Sequence, residues 1–81
     1  MPKVEITVAY AVVLKRHRAA KGMSQEKLAE KANIHPTHVG LLERSLRNPS
    51  LKVSKAIADA LGLPLSEMIA EAERICRKGS H

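Results

Sequence analysis

Apolar residues recur at intervals of three and four along most of this chain, which is the spacing of one buried face on an α-helix. Residues that typically begin or end helices, namely Ser, Asn, Pro and Gly, interrupt this pattern at short intervals. We therefore predict five short helices, at about 8–21, 25–32, 36–44, 51–61 and 64–77. The alternation of Val4, Ile6 and Val8 also fits a short strand at the start of the chain.

Residues at the helix boundaries make these predictions specific. Thr7 is placed to cap the first helix and Gly22 to end it. Ser24 is placed to cap the second helix, and Asn33 suits a left-handed turn after it. The remaining signals are Pro36 at the start of the third helix, Ser50 and Gly62 at the two ends of the fourth, and Pro64 at the start of the fifth.

Length and composition indicate one small all-α domain. A chain of 81 residues buries a modest core. Its aromatic share is 1%, so the core is aliphatic, which favours helices packed on helices over a sheet sandwich. We expect a compact five-helix domain over 8–78, an N-terminal arm over 1–7, and a remnant of an expression tag over 79–81.

Positive charge is concentrated in the middle of the chain. The formal net charge is +6, but residues 15–55 hold ten Lys/Arg against three acidic residues, whereas 56–81 hold three against four. A polyanion such as nucleic acid is the natural partner of that basic segment. The alternative is a generally basic surface without a specific partner.

Several functions are disfavoured by what the sequence lacks. Cys76 is the only cysteine, so no intrachain disulfide or multi-cysteine zinc site is expected, which fits a reducing cytoplasm. No apolar run approaches the roughly 18 residues of a membrane span, and no signal peptide is visible. We find no Gly-rich phosphate loop and no nucleophile–base set. We therefore expect no enzyme activity, no cofactor, no metal and no small-molecule ligand.

Residues 23–49 place a short helix, a tight turn and a second short helix within 27 residues. From about Tyr10 to Ala72 the chain resembles the lambda-repressor-like (Xre/Cro) helix-turn-helix family. The matching residues are Arg18, Gly22, Ser24-Gln25, Leu28-Ala29, Ile34, Val39, Leu42-Glu43-Arg44, Arg47-Asn48-Pro49-Ser50-Leu51, Ile57-Ala58 and Leu61-Gly62-Leu63. Within the family, the length and the run over 43–48 resemble controller proteins of restriction–modification systems, and small phage repressors match nearly as well.

This resemblance implies a sequence-specific transcription regulator whose third helix enters the major groove of double-stranded DNA. Family position assigns base contacts to Pro36, Thr37, His38 and Leu41. Many members have Arg, Gln or Ser where this chain has Pro36 and Leu41, and neither residue offers a side-chain hydrogen bond. We therefore expect readout here to depend more on apolar contact and DNA shape.

Contacts to the DNA backbone are also carried over from the family. They fall on residues around the two helices: Gln25, His35, Arg44, Arg47, Asn48 and Lys52. Lys55 either extends this footprint or is a solvated bystander. His35 stands where the family usually has a better helix cap. If His35 and His38 both lie near DNA, binding should strengthen as pH falls through about 6.5.

The family further implies a structural ion pair between Arg18 and Glu43, joining the first helix to the end of the third. His17 and Ser54 occupy positions that are usually Leu or Ile. They could bond each other or a backbone carbonyl, or face a shallow surface, and the sequence leaves these alternatives open.

Family members typically bind palindromic sites as homodimers. The apolar stripe of the fifth helix is the expected dimer surface, formed by Leu65, Met68, Ile69 and Ile75. The alternatives are that this stripe covers the domain's own core, or that the arm from Val4 to Val8 dimerises. Cys76 could approach its symmetry mate or be a bystander. An alternative function is that of an antitoxin, which neutralises a partner protein and regulates its own operon.

Overall fold

The computed structural model describes residues 4–78, so 1–3 and the predicted tag remnant 79–81 lie outside the described residues. Within that range the chain forms five α-helices and no strand, which confirms the predicted all-α class. The helices are α1 (Ile6–Ala20), α2 (Gln25–Ala32), α3 (Pro36–Glu43), α4 (Leu51–Leu61) and α5 (Leu65–Lys78). None of these helices is both long enough and apolar enough to cross a membrane.

Most of the predicted helix boundaries are confirmed. The Ser24 hydroxyl accepts a hydrogen bond from the Lys27 amide at 2.9 Å, and the Ser50 hydroxyl accepts one from the Val53 amide at 3.0 Å. Each bond satisfies an amide that has no partner inside its helix. Asn33 adopts the left-handed conformation with φ of 58°, as the turn after α2 requires.

The predicted start of α1 is wrong. The helix begins at Ile6, so neither a strand over Val4 to Val8 nor an arm reaching residue 7 is formed. Glu5 occupies the cap position and makes no side-chain cap bond. Thr7 lies inside the first turn, and its hydroxyl donates instead to the Asn48 side chain at 2.9 Å. The start of α1 is therefore stabilised by packing against the rest of the domain and not by a local cap.

The core is aliphatic and lies between α1 and the other helices. α1 packs most extensively against α5, while α2 packs against α3 and α4. Met68 is 0% exposed inside this core, which removes it from the predicted dimer surface. Its partners in the predicted stripe are only partly buried against the core: Leu65, Ile69 and Ile75. The stripe of α5 thus serves mainly the domain's own core.

The connection from α3 to α4 leaves the helix through a left-handed residue that is not glycine. Ser45 has φ of 60°. The amide of Leu46 donates to the carbonyl of Leu41 at 2.9 Å, and the amide of Ser45 donates to that of Leu42 at 3.1 Å. These bonds end α3 tightly and set the direction of the loop that carries Arg47 and Asn48.

Candidate nucleic-acid interface

α2 and α3 are joined by a turn that fixes their relative orientation. After Asn33, the amide of Ile34 donates to the carbonyl of Ala29 at 3.0 Å, and Ile34 packs against the core. Pro36 then occupies the first turn of α3, where a missing amide hydrogen loses no helical bond. The turn therefore places α3 at the surface of the domain, where it packs against α2.

One face of α3 is anchored and the opposite face is open. Val39 and Leu42 are buried in the core. Pro36, Thr37 and Arg44 are exposed, and Leu41 lies one turn after Thr37. His38 and Leu41 are only partly exposed, so these two predicted base-contact residues lie closer to the buried side than Pro36 and Thr37. The open face offers one hydroxyl, one proline ring and one leucine, which matches the apolar character expected from the sequence.

His35 caps α3 through its ring. Its Nδ1 atom accepts a hydrogen bond from the Thr37 amide at 3.1 Å. A protonated ring has no lone pair at Nδ1, so this cap requires the neutral ring with its proton on Nε2. This hydrogen bond and a proton on Nδ1 exclude each other, which opposes the expectation that protonation of His35 strengthens DNA binding.

Gln25 lies beside α3, at the first residue of α2. Its amide nitrogen donates to Glu43 Oε1 at 2.9 Å. Its Oε1 atom lies 3.5 Å from the position that a Cβ atom at Gly40 would occupy. Gln25 therefore borders the open face of α3, where the sequence predicts a phosphate contact, and the amide keeps a second N–H for that purpose.

The predicted pair between Arg18 and Glu43 is present and forms the centre of a larger network. Arg18 Nε donates to Glu43 Oε2 at 2.5 Å, and Nη2 donates to Oε1 at 3.1 Å. A third donor, Nη1, bonds the carbonyl of Met23 at 2.7 Å. The hydrogen bond to Glu43 raises the pKa of Arg18, while burial opposes the rise. One carboxylate thus joins α1, the start of α2 and the end of α3.

Basic side chains follow the C-terminal end of α3. Arg44, Arg47 and Lys52 are exposed, and none of them pairs with a carboxylate among residues 4–78. Lys55, by contrast, contacts Asp59 at 2.6 Å, and this pairing favours the bystander interpretation for Lys55. The predicted backbone contacts therefore gather at the C-terminal half of α3, with Gln25 beside Gly40 and Glu43, and with Arg44, Arg47 and Asn48 following the helix. This arrangement suits a polyanion.

The two polar residues at usually apolar positions have separate partners. His17 Nε2 lies 3.0 Å from Glu71 Oε1 and 3.1 Å from Oε2, so it joins α1 to α5. Ser54 is buried beside Tyr10. Burial raises the pKa of Tyr10, and the Ser54 hydroxyl partly opposes this rise. Neither His17 nor Ser54 belongs to the interface around α3.

Sequence reasoning missed two contacts that hold interface residues, Gln25 to Glu43 and Thr7 to Asn48. The members of each pair are 18 and 41 residues apart, respectively, and no local pattern in the sequence links them.

Two helices joined by a tight turn, with exposed cations following the second, are typical of a helix-turn-helix DNA-binding protein. Comparison with known proteins agrees, since the sequence profile of the helix-turn-helix family matches residues 14–68. The chain therefore belongs to the Xre, or lambda-repressor-like, helix-turn-helix family of DNA-binding transcription regulators. Members of this family are regulators and not enzymes.

Individual relatives include both kinds of protein that the sequence resembles. The chain is 38% identical over 58 residues to the immunity repressor protein of Bacillus phage phi105, covering 72% of this chain and 40% of that protein. It is 40% identical over 47 residues to the control protein C.BamHI of Bacillus amyloliquefaciens, covering 58% of each. The chain thus spans less than two thirds of the length of either relative.

A solved structure of a controller protein has the same fold. It is the restriction-modification controller protein C.Esp1396I, determined as a tetramer in complex with its natural 35-base-pair operator. The two chains superpose with a TM-score of 0.82 at 27% sequence identity, covering 93% of this chain and 99% of that one. The similarity therefore extends over α1 and α5 as well as the helix-turn-helix itself.

Proposed function

We propose that this protein is a sequence-specific transcription regulator that binds a palindromic operator as a homodimer and inserts α3 into the major groove. The observation that carries the proposal is the open face of α3, bordered by Gln25 beside Gly40 and followed by the exposed Arg44 and Arg47. Thr37 and Leu41 then meet base edges, while the surrounding cations and amides contact phosphates. The controller–operator complex similar to this chain supports DNA as the partner.

The homodimer part of the proposal is supported by an apolar groove beside α5. The groove has a volume of about 440 Å³, and its walls include Ile6, Leu51 and Ile69. Ile6 is 48% exposed and Leu51 is 78% exposed, which is unusual for large apolar side chains in one place. We propose that a second copy covers this groove and the adjoining Ile69, so that the dimer surface lies towards α1 and α4 rather than at Met68.

DNA selection tests the proposal directly. The protein is used to enrich duplexes from a randomised library, and its affinity for the best duplex and for a scrambled version is then measured at two salt concentrations. We expect a preference of roughly a thousandfold or more for the selected duplex. Equal and strongly salt-dependent binding to both would overturn the proposal and favour the antitoxin alternative.

Arginine substitutions test the footprint. Replacing Arg44 or Arg47 with Gln removes one phosphate contact each, so we expect weaker binding and a salt dependence reduced by about one unit of slope. Arg77→Gln on α5 is the matched control, because Arg77 is exposed and lies outside the proposed footprint. An equal loss in all three variants would indicate general electrostatic attraction only.

Sedimentation tests the dimer surface. We expect Leu51→Gln to shift the protein towards monomer, because it places an amide in the apolar groove. Val12→Gln is the control, since Val12 is also exposed and apolar but does not line the groove. Unchanged self-association of Leu51→Gln would contradict the proposed surface while leaving DNA recognition by α3 in place.

A further inference from the structure

Gly40 lies inside α3, on the face that the helix turns away from the core. Thr37 precedes it by three residues and Arg44 follows it by four, so these positions share one side of the helix. Val39 and Leu42, which are buried, lie on the opposite side. Thr37 and Arg44 are exposed, and Gly40 is partly exposed. A gap without a side chain is therefore present in the middle of the open face of α3.

Nothing in the described part of the protein requires a glycine at this position. Gly40 does not have a positive φ, unlike Gly22 and Gly62, so its backbone conformation is open to other residues. Apart from chain neighbours and the helix backbone, the one described atom near an added Cβ is Gln25 Oε1, at an ordinary contact distance of 3.5 Å. A glycine inside a helix is nevertheless less stable than an alanine. The gap therefore weakens α3 without improving its packing.

The gap offers carbon atoms and no free hydrogen-bonding group. The carbonyl of Gly40 already accepts from the Arg44 amide at 3.1 Å and from Arg44 Nε at 3.3 Å. The amide of Gly40 lies inside the helix, where amides bond the preceding turn. Leu41, the next residue, is apolar and partly exposed. A ligand group that fills this gap is therefore small and apolar.

The 5-methyl group of thymine is the apolar group that bases present in the major groove. It needs no hydrogen bond, and without a side chain at Gly40 it can approach the helix backbone closely. We propose that Gly40 is a specificity-determining residue, because the gap above it receives the 5-methyl group of an operator thymine beside Thr37 and Leu41. This inference rests on the proposed function and adds the base that this part of α3 selects.

Replacement of thymine by uracil tests the contact, because it removes the 5-methyl group and keeps the base pairing. Each thymine of the duplex that the unmodified protein selects is replaced in turn, and affinity is measured for the unmodified protein and for Gly40→Ala. For the unmodified protein we expect a position where uracil weakens binding about fourfold. Gly40→Ala should bind the thymine duplex about tenfold more weakly, because its methyl group occupies the same space.

The combination of both changes distinguishes this contact from a general effect on α3. Uracil at that position should restore most of the binding that Gly40→Ala loses, because the alanine methyl group fills the space that the thymine methyl group has left. Equal losses of Gly40→Ala on both duplexes, or unchanged binding to the thymine duplex, would overturn the inference. Glu73→Ala, an exposed substitution on α5, is the control and should leave the ratio of the two affinities unchanged.

Thermal unfolding separates the contact from a defect in folding. Gly40→Ala should unfold at a higher temperature than the unmodified protein, so its weaker binding would not come from an unfolded fraction. If the protein selects a sequence in which no replacement by uracil changes the affinity, only the role of Gly40 is wrong. If it selects no sequence, the proposed function fails and this inference fails with it.

Discussion

Two successive residues of α1 reach glutamates on opposite sides of the molecule, and their surroundings differ. Arg18 extends towards the helix-turn-helix and meets Glu43, where the two side chains are 15% and 3% exposed. His17 extends towards α5 and meets Glu71, where the side chains are 27% and 21% exposed. The first pair belongs to a network that also includes Gln25 and Met23, whereas the second stands alone.

The difference shows which side of the domain is held most firmly. Around Glu43 the buried polar groups are matched with several donors, as a buried charge requires. On the groove side, the buried Tyr10 hydroxyl has the Ser54 hydroxyl beside it but forms no hydrogen bond of normal geometry among the described residues, and Leu51 is exposed nearby. The side that presents α3 thus has its buried polar groups paired, whereas the side that we propose for a second copy keeps an unpaired buried hydroxyl and an exposed leucine.

Removing Glu43 should have the largest effect. Glu43→Ala leaves the partly buried Arg18 without its counter-charge and frees Gln25, so we expect a loss of about 3 kcal/mol in the free energy of unfolding. Urea unfolding measures this value, with Glu26→Ala as the control because Glu26 is an exposed acid on α2. A loss below about 1 kcal/mol would show that the network contributes no more than a surface pair.

Removing Glu71 should have a smaller effect. About a quarter of this pair is exposed, so water screens it, and we expect Glu71→Ala to lower the free energy of unfolding by about 1 kcal/mol or less. Glu73→Ala is the control, because Glu73 is exposed on the same helix and has no partner among the described residues. If Glu71→Ala matched Glu43→Ala, the contrast between the two sides would be wrong.

Tyr10→Phe tests the unsatisfied hydroxyl. Removing a buried group that makes no hydrogen bond should raise the free energy of unfolding by about 0.5–1 kcal/mol at pH 7. Burial raises the pKa of Tyr10, because the fold favours the neutral hydroxyl over the charged one. Ionisation of Tyr10 therefore costs no stability below the ordinary pKa near 10, and the free energy of unfolding falls as pH rises from there through the raised pKa. Tyr10→Phe should therefore resist alkaline unfolding better than the unmodified protein, as circular dichroism above pH 10 would show.

Gly40→Ala should have the smallest effect. Gly40 lies inside α3, and a new Cβ would meet only Gln25 Oε1, at an ordinary contact distance of 3.5 Å. We expect the free energy of unfolding, measured by thermal unfolding, to rise by about 0.5 kcal/mol, because alanine loses less backbone entropy than glycine in a helix. A loss instead would show that the region around Gln25 has no room to adjust.

The sequence allowed prediction of the features that depend on local chemistry. Ser24 and Ser50 begin their helices, and Asn33 and Gly62 end them, where expected, because caps and left-handed turns involve neighbours within a few residues. The Arg18–Glu43 pair was predicted only through the family resemblance. The individual contacts to DNA stay predictions.

Features set by tertiary packing could not be predicted from the sequence. The start of α1 was wrong because Glu5 supplies no cap and burial decides the boundary. Met68 carries the same apolar signal whether it faces the core or a partner. The partner of His17 is 54 residues away, beyond the reach of any local pattern.

The packing of α1 against α5 has a consequence for synthesis of the protein. Because α1 precedes the helix-turn-helix and α5 follows it, the core cannot close until α5 has left the ribosome. A chain that stops before α5 lacks Met68 and Ala72 and leaves the inner face of α1 in water. Such a fragment would carry an intact α2–turn–α3 sequence but no stable scaffold to present it. Proteases would therefore remove incomplete chains before they could compete for DNA.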